Sequence, residues 1–297
     1  MMVPVTGLPY LLALAAATFF GAADFLGGLS ARRTSTSAVV VVSGAAGLAL
    51  LAVLLPVMPG SRPAADDLLW GTMAGLAGGA GIGLLYRALA IGRMAVVAPT
   101  TALCAVTMPV LAGLATGERP TLGTGTGMAL ALVAIVLVSR QGEVRTSPGA
   151  ATDAPHVRPV VRGGIGLALL SGVAIGFFYL ALARTSREAG LWPLLAARGA
   201  STLLFGAVAI ARRDSLRMPA SVLRTVVAGG VLDMIANALY VLATWGGPLS
   251  VVVTLTSLYP ASTVVLARFV LGERLSAWQR AGVACALIAV LLIVGAV

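Results

Sequence analysis

Long apolar runs separated by short polar connections make up most of this chain. A run of roughly 20 apolar residues is long enough to cross a bilayer as a helix. The pattern therefore predicts an all-α integral membrane protein with ten transmembrane helices, and it leaves little chain for a soluble domain. The approximate bounds of the runs are 8–29, 35–57, 68–90, 94–115, 120–139, 163–183, 189–211, 220–244, 248–271 and 276–297.

The first apolar run differs from a signal peptide in two ways. No positively charged residue precedes it, and it is longer than the apolar core of roughly 7–15 residues that signal peptides carry. We therefore expect the first run to be retained as a transmembrane helix.

Composition agrees with a surface that faces lipid. Hydrophobic residues make up 59% of the chain and charged residues only 10%, whereas soluble domains carry about 25% charged residues. The net charge of +10 comes from arginine, since the chain has no lysine. In a soluble protein this charge would suggest a nucleic-acid partner. Here the arginines cluster in short connections, so we expect a role in membrane topology and no nucleic-acid partner.

The arginine distribution predicts an orientation. Of the 20 arginines, 14 lie in or beside odd-numbered connections, four lie in even-numbered ones and two lie inside spans. Cytoplasmic connections carry the excess of positive charge. By this criterion the odd-numbered connections are cytoplasmic and both termini are outside.

The tripeptide Gly-Glu-Arg occurs twice, each time after a long apolar run. It stands at Gly117–Arg119 in LATGERPTLG and at Gly272–Arg274 in FVLGERLSAW, 155 residues further on. At the same spacing MAVVAPTTAL (94–103) falls on LSVVVTLTSL (249–258). We interpret each copy as the end of the fourth span of a repeat, where glycine ends the helix and the charges stay at the interface.

Each repeat holds five spans, and an odd number has a topological consequence. The second unit must enter the membrane from the side opposite to the first, so the two units are inverted. Inverted repeats are typical of secondary transporters, in which the two halves exchange shapes. The predicted parts are a first five-helix repeat at 1–139, a hydrophilic linker at 140–162 and a second five-helix repeat at 163–297.

Several segments resemble EamA-type members of the drug/metabolite transporter superfamily. They are APTTALCAVTMPVLAGLATGERP, SLYPASTVVLARFVLGERLS and the early FGAADFLGG, and the resemblance covers nearly the whole chain. The first repeat departs from the pattern, with Ala105 where the second has Pro260, a residue that is expected to kink its helix. The resemblance implies ten helices around a central cavity and the movement of amino acids, metabolites, sugars or drugs. It also implies that both termini are cytoplasmic, which is the opposite of the orientation that the arginine distribution predicts.

Four ionisable side chains fall inside predicted spans: Asp24, Arg87, Arg198 and Asp233. Each costs about 2.5–3.5 kcal/mol on insertion scales, so such groups seldom face lipid. The simplest pairing joins Asp24 to Arg87 and Arg198 to Asp233, either as static ion pairs between helices or as parts of a substrate or proton site. Asp24 is the more attractive proton carrier, because burial favours a neutral carboxyl unless an arginine holds its charge.

The third span carries a glycine at every fourth position: Gly71, Gly75, Gly79 and Gly83. Such a face lacks side chains and lets another helix approach closely. It is expected either to pack against a neighbouring helix or to border the cavity. In the second repeat the matching positions include Asp233 and Asn237, so this face has become polar there, and this difference points to a binding site.

Tyrosines near the same faces are candidates for clamping a ligand. Together with the ionisable groups they define a predicted substrate and proton pathway. Its members are Asp24, Tyr86, Arg87, Tyr179, Arg198, Asp233, Asn237 and Tyr240.

The sequence contains no recognisable catalytic or cofactor-binding set. Its only histidine, His156, lies in the predicted linker, and no metal-ligand cluster or phosphate-binding Gly-Lys-Ser/Thr motif is present. We expect no enzyme activity, no cofactor and no metal. The predicted function is a secondary transporter, acting as an exporter of small metabolites or amino acids by alternating access, through proton antiport or facilitated diffusion.

Two other functions stay open at this stage. One is a flippase for lipids or lipid-linked substrates, and the other is a membrane scaffold that transports nothing. The expected partners are a small-molecule substrate, protons and the lipid bilayer, with the chain as a monomer or homodimer. Its richness in Ala, Gly, Val and Arg suggests a GC-rich bacterial genome, and we therefore expect the inner membrane as its location.

Overall fold

The computed structural model describes residues 7–31, 33–57, 62–91, 94–139, 160–270 and 275–295. Within these ranges every regular element is helical. The α-helices are α1 (Leu8–Ala31), α2 (Thr36–Leu54), α3 (Ala65–Ile91), α4 (Met94–Ala115), α5 (Leu122–Ser139), α6 (Val160–Ala183), α7 (Trp192–Arg212), α8 (Ala220–Thr244), α9 (Leu249–Thr256), α10 (Tyr259–Val270) and α11 (Ala277–Gly295). Residues 140–159 of the predicted linker lie outside the described residues, and its last three residues belong to α6.

The helices have the length and composition of membrane spans. In the described part of the chain, seven of them are long and apolar enough to cross a membrane, and shorter apolar segments lie in α4, in α5 and from α9 into α10. Their outer faces are apolar, with Leu122, Ile210 and Phe269 each more than 80% exposed. These faces suit contact with lipid tails. The predicted all-α membrane fold of two inverted five-helix repeats is confirmed.

The repeat seen in the sequence returns in the packing of the helices. Gly21 of α1 lies against Ser262 and Thr263 of α10, where an added Cβ would lie 2.9 Å from the Thr263 nitrogen. Gly176 of α6 lies in the same way against Met108 of α4, whose Cβ would be 3.2 Å away. Thr263 and Met108 are themselves 155 residues apart in the sequence. The first helix of each repeat therefore packs on the fourth span of the other repeat.

Most of the extensive helix contacts cross between the repeats. Helix α1 packs against α8 and α10, α2 packs against α7 and α8, and α3 packs against α6 and α7. The repeats are thus interleaved and do not lie side by side as separate bodies. A space at the centre of the molecule is consequently bordered by both.

The ninth predicted span is broken, which corrects the expectation of one continuous helix over 248–271. Helix α9 ends at Thr256, Ser257 and Leu258 form a turn, and α10 begins at Tyr259. Pro260 explains the break, because it has no N–H to donate and its ring clashes with the carbonyl four residues earlier. The first repeat has Ala105 at the matching position, and α4 runs through it unbroken.

The first Gly-Glu-Arg motif ends α4 as its sequence indicated. Gly117 has a φ of 97°, and the backbone N–H of Glu118 donates to the carbonyl of Gly113 at 3.0 Å. This is the hydrogen-bond pattern of a glycine-terminated helix. The second copy, Gly272–Arg274, lies outside the described residues.

The carboxylate of Glu118 has a role that the sequence did not indicate. It accepts the backbone N–H groups of Leu249 at 2.6 Å and Ser250 at 3.0 Å, at the start of α9. The first N–H groups of a helix have no partner within the helix, and its positive end favours a negative charge. A residue of the first repeat therefore caps a helix of the second.

A second carboxylate joins the repeats at the same end of the molecule. Asp67, in the first turn of α3, accepts the backbone N–H of Ser186 at 2.7 Å and the hydroxyl of Ser186 at 3.0 Å. Ser186 lies in the connection between α6 and α7. By helix direction, this connection, the α8–α9 connection and the start of α1 lie on one side of the membrane. Hydrogen bonds to Asp67 and Glu118 therefore connect the two repeats on that side.

Candidate functional site

A cavity lies between the two repeats at the centre of the helix bundle. It has a volume of about 950 Å³, including the part open to solvent. Helices α1, α2, α3, α6, α7 and α8 and the first residue of α10 contribute to its walls. Both repeats therefore contribute side chains to the cavity wall.

An ion pair between α7 and α8 lines the cavity. The guanidinium of Arg198 donates to the carboxylate of Asp233, and the two side chains are 17% and 31% exposed. Arg198 also lies beside Gly47 of α2, where an added Cβ would be 3.5 Å from its Nε. The Nδ2 of Asn237 donates to the Asp233 carbonyl at 2.7 Å and to its carboxylate at 3.3 Å. The predicted pairing of Arg198 with Asp233 is confirmed.

Asp24 faces the same cavity without an ion-pair partner among the described residues. Its side chain is exposed to the cavity, whose wall it shares with Asp233 and Tyr259. The hydroxyl of Thr263 donates to the carbonyl of Gly21 at 3.1 Å and ties this part of α1 to α10. Among its described residues the site therefore holds one paired carboxylate and one unpaired carboxylate.

The predicted pairing of Asp24 with Arg87 is wrong. Arg87 lies near the end of α3, is exposed and does not line the cavity. Helix α1 packs against α8 and α10, whereas α3 packs against α6 and α7. The two side chains therefore belong to helices with different neighbours, and Arg87 is not placed at the site.

The predicted tyrosines have different positions. Tyr179 lines the cavity. Tyr240 lies behind it and is fully buried, with its hydroxyl donating to the Tyr179 carbonyl at 2.9 Å and the two ring centres 4.9 Å apart. Tyr240 thus supports the wall without forming part of it. Tyr86 belongs to α3, but its side chain is outside the described residues.

The glycine face of α3 packs against α7. An added Cβ at Gly75 would meet the backbone of Ala197, and one at Gly79 would lie 3.4 Å from the Cβ of Ser201. Close approach of this kind needs small residues. Gly75 and Gly79 also line the cavity, so both expectations for the glycine face hold. The contact brings Arg198, the residue after Ala197, beside the cavity.

The sequence reasoning missed the phenylalanines of the cavity wall. Phe20 lies one helical turn before Asp24, and Phe178 precedes Tyr179 in α6. Residues four apart share a helix face, so the position of Phe20 was readable once Asp24 had been chosen. No comparable signal singled out Phe178.

The cavity wall carries several kinds of polar group. Its polar groups are carboxylates, a guanidinium, an amide and hydroxyls, set among apolar and aromatic side chains. Among the described residues, no group of three or more His, Cys, Asp or Glu side chains could hold a metal ion. The described wall therefore offers both charged and apolar contacts to a ligand.

Comparisons with known proteins agree with the fold and the repeat. The model of the EamA-like transporter family matches residues 7–140 and 162–295. The chain therefore belongs to the EamA-like transporter family, whose members are multi-pass membrane transporters of the drug/metabolite transporter superfamily. The resemblance seen in the sequence is thereby confirmed.

The remaining comparisons concern single proteins. No curated protein matches the sequence. One crystal structure, described only as that of a protein, has a TM-score of 0.72 with this chain at 17% identity. The similarity covers 96% of this chain and 95% of that one, and it supports the fold alone.

Proposed function

We propose that this protein is a secondary transporter that exchanges small organic molecules for protons by alternating access. The observation that carries the proposal is the cavity between two inverted repeats, lined by the unpaired carboxylate of Asp24 and the Arg198–Asp233 pair. Transporters built from inverted repeats bind their substrates at the interface of the repeats. Ionisable groups within spans are costly, and those that occur commonly form ion pairs or mark substrate pathways and proton relays.

The break in the ninth span supports this proposal. Tyr259 begins α10 and lines the cavity, so the broken helix ends beside the candidate site. Discontinuous helices commonly form the substrate sites of such transporters, because their exposed ends supply oriented dipoles. Non-helical backbone within a membrane protein is tolerated where it is buried or lines a cavity.

Asp24 is the residue that we propose carries the proton. Among the described residues it has no ion-pair partner, and it shares the cavity wall with the carboxylate of Asp233. Gain and loss of a proton would change the charge that a bound substrate meets. In this scheme the energy for export comes from the proton gradient.

Counterflow in proteoliposomes tests the transport function. Vesicles are loaded with an unlabelled mixture of amino acids, amines and other metabolites, and transient uptake of each labelled compound is followed. We expect counterflow of at least one compound with the wild type, and its loss with Asp233→Asn, which breaks the ion pair. Asp66→Asn changes an exposed acid in the first turn of α3 and is expected to retain counterflow.

A negative result has a defined meaning in this experiment. If folded wild-type protein moves no compound of the panel, the proposal is contradicted. A fluorescent-lipid translocation assay on the same vesicles would then ask whether the substrate is a lipid. If the wild type moves no compound and Asp233→Asn only lowers the thermal stability of the protein, a scaffold function would be favoured.

A further inference from the structure

The charges that line the cavity do not balance. Among the described residues of its wall, the charged groups are the carboxylates of Asp24 and Asp233 and the guanidinium of Arg198. Arg198 is already paired with Asp233. Arg87, the second arginine expected at the site, lies outside it and is exposed. Among these described groups, one negative charge therefore remains in excess, at Asp24, whenever this side chain has released its proton.

We propose that the cavity selects monocationic amphipathic molecules, such as organic amines with an apolar body, over zwitterions and anions. This inference rests on the proposed transport function and names the substrate class of the same site. A cation compensates the excess charge when it binds, whereas a neutral or anionic ligand leaves that charge uncompensated in a site walled by apolar groups. Charge complementarity of this kind discriminates strongly between ligands, because uncompensated charges in such surroundings are costly.

The walls of the cavity suit a cation that carries an apolar group. The rings of Phe20, Phe178, Tyr179 and Tyr259 line it together with aliphatic side chains. Aromatic faces attract ammonium groups through the ring quadrupole, and the attraction increases where water is excluded. The same rings offer contact area to an apolar body.

An amino acid fits this site less well than the corresponding amine. Its ammonium group can approach Asp24, but its carboxylate needs a cation or several donors. The described cation of the wall, Arg198, is occupied by Asp233, whose carboxylate would also repel that of the ligand. The ligand would have to break an ion pair within the cavity, which leaves Asp233 without its partner.

Three ligands with the same apolar body test the proposal. The compounds are 2-phenylethylamine, L-phenylalanine and 3-phenylpropanoate, which near neutral pH are a cation, a zwitterion and an anion. Binding to the full-length protein in nanodiscs is measured by calorimetry. We expect the amine to bind at least about tenfold more tightly than phenylalanine, and 3-phenylpropanoate to bind most weakly, since charge compensation is lost in that order.

Variants identify Asp24 as the source of the preference. Asp24→Asn is expected to bring the affinities for the amine and phenylalanine within about threefold of each other, because it removes the excess charge. Asp24→Glu, which keeps the charge, is expected to keep the preference. If Asp24→Asn does not fold, the comparison of the three ligands on the wild type still tests the proposed preference. Asp66→Asn removes a negative charge away from the cavity and serves as the matched control.

The outcomes separate this inference from the proposed function. Equal or tighter binding of phenylalanine overturns the inference, while counterflow of phenylalanine would leave the transport proposal intact. Tight amine binding with no flux of any compound supports the inference and contradicts transport. Failure of all three compounds to bind to folded protein also overturns the inference.

Discussion

Asp24 and Asp233 are similar residues that differ in their neighbours: one carboxylate has an ion-pair partner and the other has none among the described residues. Both are single acids inside apolar helices, and both line the same cavity. Asp233 is held by Arg198 and by the amide of Asn237, whereas Asp24 has no cation beside it in the described part of the protein. The difference comes from the partner helices and not from the local sequence around either acid.

The Arg198–Asp233 pair is open to a double-substitution test. Arg198→Met or Asp233→Leu alone is expected to lower the free energy of unfolding by about 1.5–3 kcal/mol, because each leaves a charged group without its partner. The double variant is expected to recover much of that loss, since no charge is then left unpaired. Thermal unfolding of the purified variants in detergent measures both effects.

Arg87 supplies the control for this experiment. It is the other arginine within a predicted span, but it is exposed. Arg87→Met is expected to change the unfolding temperature little. A loss as large as that of Arg198→Met, or a double variant as unstable as the sum of the single ones, would contradict the account of the pair.

Packing between α3 and α7 depends on the absence of side chains at a few positions. The glycines of α3 let the backbone of α7 come so close that Cβ atoms have no room. Gly199 on α7 is different, because nothing lies within 4 Å of the Cβ that it would carry. The two kinds of glycine make opposite predictions for the same substitution.

Gly75→Ala is expected to destabilise the protein by about 1–3 kcal/mol, because its methyl group would overlap the backbone of Ala197. Gly199→Ala is expected to be neutral or to stabilise by up to about 1 kcal/mol, since alanine is the better helix former. Thermal unfolding of the two variants checks this. Equal effects would show that close packing does not explain the glycine face.

The hydrogen bonds from the start of α9 to the Glu118 carboxylate can be tested by substitution. Glu118→Ala removes the acceptor of two backbone N–H groups and is expected to cost about 0.5–2 kcal/mol. Hydrogen exchange of the Leu249 and Ser250 amides is expected to speed up. Arg119→Ala, at the exposed neighbouring position, should leave both amides unchanged, and protection that persists in Glu118→Ala would refute the cap.

The sequence predicted the helices well where the cause was local. Apolar length marked the spans, Gly117 marked the end of α4, and Pro260 marked a distortion in the ninth span. It did not predict that the distortion is a complete break, because the outcome depends on the packing around the freed backbone groups. Nor did it predict that Glu118 reaches α9, since that contact joins residues more than 100 positions apart.

The arrangement of the whole molecule follows from the inversion of the repeats. The repeat was readable from the two Gly-Glu-Arg motifs, and the odd number of spans then required inversion. Which helices are neighbours was not readable, and the wrong pairing of Asp24 with Arg87 resulted from that. Pairing between helices is set by tertiary packing, which a periodic apolar pattern does not encode.

Inversion predicts which connections share a side of the membrane. The test uses a background in which Cys104 and Cys285 are replaced by Ala. Single cysteines are introduced at Gly7, Arg187 and Ser215, which are all exposed. Their reaction with a membrane-impermeant thiol reagent is then measured. Gly7→Cys and Arg187→Cys are expected to react from one side and Ser215→Cys from the other. Reaction of all three from one side would exclude the inverted arrangement. The same data decide whether the termini are cytoplasmic.

In the proposed mechanism, Asp24 couples a proton gradient to the movement of an organic substrate. The most direct measurement is uptake of a labelled compound that shows counterflow, into proteoliposomes that are more acidic inside than outside. For wild type we predict uptake several times faster than without the gradient, because protons leaving the vesicle drive the exchange. Asp24→Asn should show no response to the gradient, whereas Asp66→Asn should respond like wild type. A gradient response that survives in Asp24→Asn would contradict the account.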